Sequence, residues 1–145
     1  MMKRRLFIQA SAVGALAAAL PLLANVYAQA AKRAGIVIQM SDNDAAKWNL
    51  ALNNAKNLQE DVGAANVDIE LVAYGPGINM FKLESPVAAR IAEALKAGVK
   101  VVICENTMRG QKVTKDDMLP DLAYVPAGVT ELMKKQQAGW AYLRP

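Results

Sequence analysis

The sequence predicts an α/β domain, a mostly parallel five-stranded sheet flanked by helices. From Ala34 onward, short apolar runs alternate with amphipathic stretches of helical period, and glycine or proline punctuates most of the changes. Several runs are apolar over their whole length, as expected of strands buried on both faces. That succession of strand and helix is the pattern of a layered α/β fold.

Gly35-Ile36-Val37-Ile38-Gln39-Met40 reads as the first strand, and Ser41-Asp42-Asn43-Asp44 then supplies side chains able to cap a helix. In that helix Trp48, Ala51, Leu52, Ala55, Leu58 and Val62 form one apolar stripe, Lys47, Lys56 and Glu60 face water, and Gly63 is the stop. The second strand, Val67 to Tyr74, begins with alternation and ends fully apolar, and Gly75-Pro76-Gly77 turns the chain out of it. Ser85-Pro86 offers an N-cap followed by proline at the first helical position. Val87, Ile91, Ala94 and Leu95 make the stripe of this second helix, and Gly98 closes it. Lys100-Val101-Val102-Ile103-Cys104 is the third strand, and the residues from Cys104 to Lys112 read as a loop.

The last third is less regular. Thr114-Lys115-Asp116-Asp117 resembles a capping box with Asp in place of Glu, and Pro120 limits that helix to about one turn. Leu122 to Val125 is a short strand. Val129, Leu132 and Met133 mark a helix that ends at Gly139, and Trp140 to Leu143 is the final strand. No internal repeat or low-complexity linker interrupts the chain after residue 31.

The N-terminus is of a different kind. Met1-Met2-Lys3-Arg4-Arg5-Leu6-Phe7-Ile8-Gln9 leads into an Ala/Leu-rich run reaching Leu23, followed by Ala28-Gln29-Ala30. A basic start, an apolar middle and an A-x-A site are the parts of an export signal, and the paired arginines resemble the twin-arginine motif. Residues 1–30 are therefore expected to be an export signal, residues 31–145 the domain, and the periplasm its location, with no membrane association after cleavage. The net charge of +4, from 17 Lys+Arg against 13 Asp+Glu, rests largely on Lys3, Arg4 and Arg5. The domain itself is near neutral, so its charge gives no ground for nucleic-acid binding.

The 145 residues include no histidine and one cysteine. A Ser-His-Asp triad, a Cys-His dyad, His-ligated haem and the usual His/Cys zinc sites are thereby excluded within one chain, as is an internal disulfide. No metal or other cofactor is expected. In open α/β sheets ligands bind beyond the carboxyl ends of the strands. The loops there are Ser41 to Asp44, Gly75 to Met80 and Cys104 to Lys112, which puts the sole thiol at the end of a strand expected to be central, beside the expected crevice. Loop N–H groups or a cation such as Arg109 or Lys112 could favour its thiolate, whereas Glu105 would oppose ionisation. An inert, buried cysteine is the competing reading.

The order of these elements resembles the DsrE/DsrF-like family over essentially the whole domain. The resemblance is carried by Tyr74-Gly75-Pro76-Gly77-Ile78, by Cys104-Glu105-Asn106-Thr107-Met108, and by Pro126 to Leu132 with Gln137 to Leu143. Relay members of that family carry a persulfide on a cysteine after the third strand, so the resemblance implies that Cys104 is a sulfur carrier. It implies no need for histidine, because the transfer requires only a nucleophilic thiolate and an acceptor thiol. It also implies a homo-oligomer, a trimer or hexamer, and a protein that donates or accepts the sulfur. In this reading Asn106, Thr107 and Arg109 orient groups around the sulfur, Gly75 and Gly77 let backbone approach it, and Ser41 and Asp42 complete the pocket. The export signal departs from the cytoplasmic relay members, which leaves donor and acceptor open.

Two other readings stand beside it. One is a non-catalytic oligomeric binding protein in which Cys104 only lines the pocket. The other is a soft-metal carrier built on Cys104 with Met80, Met108 and Met118, although their spacing follows no metal motif.

Overall fold

A computed structural model of the chain describes residues 33–145. The export signal expected at residues 1–30, and the boundary at residue 31, lie outside the described residues.

Five strands form one sheet: β1 (Ala34–Met40), β2 (Val67–Ala73), β3 (Lys100–Cys104), β4 (Ala123–Val125) and β5 (Ala141–Leu143). Their order is β4-β3-β2-β1-β5, and every neighbouring pair is parallel. Among the described residues a single antiparallel bridge, Lys82 with Met118, lies outside the sheet. The helices are α1 (Ala45–Val62), α2 (Ala88–Lys96), α3 (Glu105–Gln111) and α4 (Gly128–Gln137), with 3-10 turns at Gly75–Phe81 and Lys115–Asp117.

The order explains the layers. From β1 to β4 each crossover steps in one direction, so right-handed connections put α1, α2 and α3 on a single face. The return from β4 to β5, beyond β1, places α4 alone on the other. Two cores result. The larger one holds Ile38, Leu71, Ile103, Trp48, Ile91, Phe81 and Met108, and the smaller holds Val37, Val72, Val102 and Leu132 under α4.

Most predicted boundaries agree with the structure. Asp44 caps α1 by accepting from the Ala46 N–H at 2.8 Å, and Gly63 ends the helix with φ of 86°. α2 and α4 both finish in Schellman motifs at Gly98 and Gly139: the Val99 N–H reaches the Ala94 carbonyl and the Trp140 N–H reaches that of Lys135. Thr114 and Asp117 form the expected capping box.

Other expectations need correction. Ser85 does not cap α2; its hydroxyl accepts from the Val87 N–H in a turn, and the helix starts at Ala88. Gly75-Pro76-Gly77 opens a 3-10 helix rather than a plain turn, because Ile78, Met80 and Phe81 are drawn into the core. The residues after Cys104, read as loop, form α3. The central strand is β2, and β3 lies one place from the edge. Val62, Val129 and Met133, assigned to apolar stripes, are 41%, 57% and 49% exposed. They sit at the end of α1 and on the outer side of α4, where nothing among the described residues covers them.

Candidate functional site

Register fixes what stands at the carboxyl edge of the sheet. Met40 pairs with Ala73, Ala73 with Ile103 and Ile103 with Tyr124. The next residues, Ser41, Tyr74, Cys104 and Val125, therefore form a row along the edge. Side chains alternate along a strand, so Cys104 follows Val102 onto the α4 face while Ile103 joins the larger core.

Cys104 is 5% exposed and lies where two helices begin. It is the N-cap of α3, and the first residue of α4, Gly128, closes over it from the other side. A Cβ built on Gly128 would stand 3.3 Å from the Cys104 Cβ and 3.1 Å from that of Tyr74, so only glycine lets the backbone come this near. The Cys104 Sγ also lies 3.9 Å from the Pro126 carbonyl oxygen, toward which a thiol proton can be donated.

The surroundings favour the ionised sulfur. Burial pushes the Cys104 thiol up, but the Thr107 hydroxyl and the backbone N–H groups of Gly128, Thr107 and Asn106 offset that and hold it below its ordinary value. The Thr107 oxygen in turn accepts the Gly75 N–H at 2.9 Å, which leaves its own proton to point at the sulfur. The Gln111 amide returns to the Gly75 carbonyl at 3.1 Å, and the Asn106 N–H also reaches the Pro126 carbonyl at 3.1 Å. These bonds tie the ends of β2, β3 and β4 together through α3.

Of the residues expected at the pocket, Cys104, Asn106, Thr107 and Gly75 are brought together. Arg109 joins them indirectly, since its guanidinium donates to the Asn106 side-chain oxygen. Ser41, Asp42 and Gly77 gather instead at the end of β1, two strands and roughly 10 Å away. Ser41 accepts from the Gln39 amide at 3.0 Å. The Asp42 carboxylate is bound by Lys47 at 3.1 Å and Arg144 at 3.5 Å, and the Lys47 hydrogen bond holds it below the usual carboxylate range. Gly77 packs on β1, where a Cβ would come 2.2 Å from the Met40 carbonyl oxygen.

Gly128 and Pro126 were not singled out as site residues by sequence reasoning. The available signal was a helix that opens three residues after a strand with Ala127 at the N-cap, where Ser, Thr, Asp or Asn is preferred, and glycine as its first residue. Met80, Met108 and Met118 all pack in the larger core, across the sheet from the thiol. Among the described residues no group of three or more His, Cys, Asp or Glu is arranged to hold a metal ion, and no helix is long and apolar enough to cross a membrane.

Residues 26–145 match the model of the DsrE/DsrF-like family. Among solved structures, a protein of unknown function from Methanobacterium thermoautotrophicum, MTH1491, is 32% identical, with a TM-score of 0.74 over 77% of this chain and 99% of its own. A conserved protein of unknown function from Bacteroides thetaiotaomicron, BT1422, shares the fold at 14% identity, with a TM-score of 0.63 over 77% of this chain and 94% of its own. A search of curated proteins finds no match.

Proposed function

The chain belongs to the DsrE/DsrF-like family, and from that premise we propose that Cys104 carries sulfane sulfur as a persulfide. The observation that carries this reading is the setting of one sulfur atom: Cys104 is the N-cap of α3, Gly128 at the start of α4 closes over it, and the Thr107 hydroxyl, fixed by the Gly75 N–H, helps hold the thiol below its ordinary value. Such a cradle stabilises the thiolate that attacks a sulfane sulfur.

The transfer is balanced without an external oxidant. The Cys104 thiolate attacks the outer sulfur of a donor persulfide, a sulfur–sulfur bond forms on Cys104, the donor's bond breaks, and the donor leaves as its thiolate. An acceptor thiolate then attacks the outer sulfur and returns Cys104 to its starting state. Gly75 holds the Thr107 hydroxyl in the direction the anion needs, and the Pro126 carbonyl accepts the proton of the resting thiol.

The test is intact-mass analysis after incubation with thiosulfate or polysulfide, with Cys104→Ser as control. A reducible gain of about 32 Da on the native chain alone supports persulfide formation. A second reading, a binding protein whose cysteine is inert, is favoured by the 5% exposure of Cys104. It predicts no mass gain and a thiol that resists alkylation until the chain unfolds.

The proposed setting is the periplasm, reached through the signal at residues 1–30, as a homo-oligomer that exchanges sulfur with a partner protein. Substituting Arg4 and Arg5 by lysine is expected to retain the precursor in the cytoplasm; unchanged export excludes the twin-arginine route.

A further inference from the structure

α4 has little to hold it down. Its buried positions are Gly128, which has no side chain, and Leu132, and Val129 and Met133 face outward. Yet its first turn must sit accurately, because Gly128 closes directly over Cys104, where a Cβ built on it would stand 3.3 Å from the Cys104 Cβ. Three and seven residues from these anchors the same helical face carries Lys135, whose ammonium lies 2.8 Å from the Glu70 Oε2.

Glu70 is an unusual occupant of its position. It sits in the middle of the central strand, 0% exposed, between Val37 and Lys100. Its Oε2 forms ion pairs with the Lys135 ammonium and with that of Lys100, at 3.2 Å, while neither carboxylate oxygen has a partner in hydrogen-bond geometry among the described residues. A carboxylate at this depth is costly to bury, and a hydrophobic side chain would fill the same place more cheaply. Lys135 is further fixed by Glu131 at 3.8 Å and by the Trp140 ring, 4.0 Å from its centroid.

The lengths are comparable. α4 rises about 10 Å from Gly128 to Lys135, and the chain from Tyr74 back to Glu70 in β2 spans about 13 Å, a difference that the long lysine side chain covers. The helix is thus pinned at both ends to one strand, by backbone at Gly128 on Tyr74 and by charge at Lys135 on Glu70. We propose that Glu70 and Lys135 are positioning residues for Cys104: the ion pair between buried Glu70 and half-buried Lys135 sets how closely the first turn of α4 approaches the sulfur. This rests on the reading of Cys104 as the reactive group.

The test is the pH profile of Cys104 alkylation by iodoacetamide in the full chain and in Glu70→Gln, Lys135→Met and Lys135→Arg. Loss of a negative charge through its own field would move the profile to lower pH, and loss of a positive charge to higher pH. Positioning predicts the same direction for both: the midpoint rises in Glu70→Gln and in Lys135→Met, with the rate at neutral pH down about threefold or more, and Lys135→Arg restores it. Lys56→Ala, which breaks only the exposed pair with Glu60, leaves the profile unchanged.

A wild-type midpoint in folded Lys135→Met or Glu70→Gln overturns the proposal, as do opposite shifts in the two. Glu70→Gln keeps the volume and an acceptor oxygen, so it decides the question should Lys135→Met fail to fold. The readout needs no sulfur donor. Absence of a sulfane adduct on the native chain would sink the carrier reading while the shifted profile still supported the seating of α4.

Discussion

Gly128 and Cys104 meet backbone to side chain, with 3.3 Å between the Cys104 Cβ and the place a Cβ on Gly128 would occupy. That contact does two jobs. It lets α4 lie directly on the ends of β2 and β3, and it brings a helix N-terminal N–H within reach of a buried sulfur, where the partial positive charge of unpaired amides favours an anion.

Gly128→Ala is expected to weaken both. The neighbours at 3.1 and 3.3 Å are a Tyr74 and a Cys104 Cβ, which move only with their strands, so α4 must lift. Overpacking of this kind costs about 1–3 kcal/mol. Denaturant unfolding should show that loss, and the alkylation profile of Cys104 should move to higher pH. A stable variant with an unchanged profile would mean that the helix N-terminus does not govern the thiol.

Thr107 separates hydroxyl from shape. Thr107→Val keeps the volume but removes the donor that points at Cys104 and the acceptor for the Gly75 N–H. The thiol should become harder to ionise and slower to alkylate near neutral pH, with about 1–3 kcal/mol of stability lost because the Gly75 N–H is left unpaired. Thr107→Ser should restore most of the reactivity. If valine reacts like the native chain and serine does not, the methyl group and not the hydroxyl is what matters.

Among the described residues, β1, β2, β3, α1 and α2 were legible because each buries a periodic stripe or an apolar run, whereas β4, α4 and β5 were legible from short apolar groups set between prolines and glycines, since α4 buries only Gly128 and Leu132. α3 was not. In Glu105 to Gln111 only Met108 is buried, and the segment is helical because Gln111 binds the Gly75 carbonyl and the Asn106 N–H binds that of Pro126, contacts made between distant parts of the chain. The same limit applies to the site. Spacing brought Cys104, Asn106 and Thr107 together because they adjoin in sequence. The separation of Asp42 from Cys104 depends on β2 lying between β1 and β3, and the role of Gly128 depends on which face α4 covers; both follow from strand order, which local pattern does not encode.

The two glycines after β2 should differ sharply when given a methyl group. Gly77→Ala drives a Cβ to 2.2 Å from the Met40 carbonyl oxygen and 2.8 Å from the Ser41 nitrogen, both backbone atoms at the end of β1. A loss of about 2–4 kcal/mol is expected, in the range of severe core substitutions. Gly75 has a φ of 53° but open space around it, so Gly75→Ala should cost only about 1–2 kcal/mol of left-handed strain. Urea midpoints of the two variants check the order; equal losses would show that the stacking of the 3-10 helix on β1 yields easily.

The lowered thiol makes a signed prediction for stability. Below the folded-state value, Cys104 is protonated in both folded and unfolded chains and contributes nothing that depends on pH. Between that value and the ordinary one, near ~8.5 for an unfolded cysteine, the folded protein holds a thiolate while the unfolded chain binds a proton. The unfolded state then carries more protons, so stability rises with pH across this window and is retained in full above it. The difference in unfolding free energy between the native chain and Cys104→Ser should therefore climb as pH rises through the window, while carboxylates such as Asp42 and Asp117, lowered by Lys47 and by the Thr114 N–H, titrate far below it and cancel in the comparison. Denaturant titrations at a series of pH values read this difference directly. A difference that stays flat would show that burial of Cys104 just offsets its hydrogen bonds, and one that falls would show that burial outweighs them and raises the thiol.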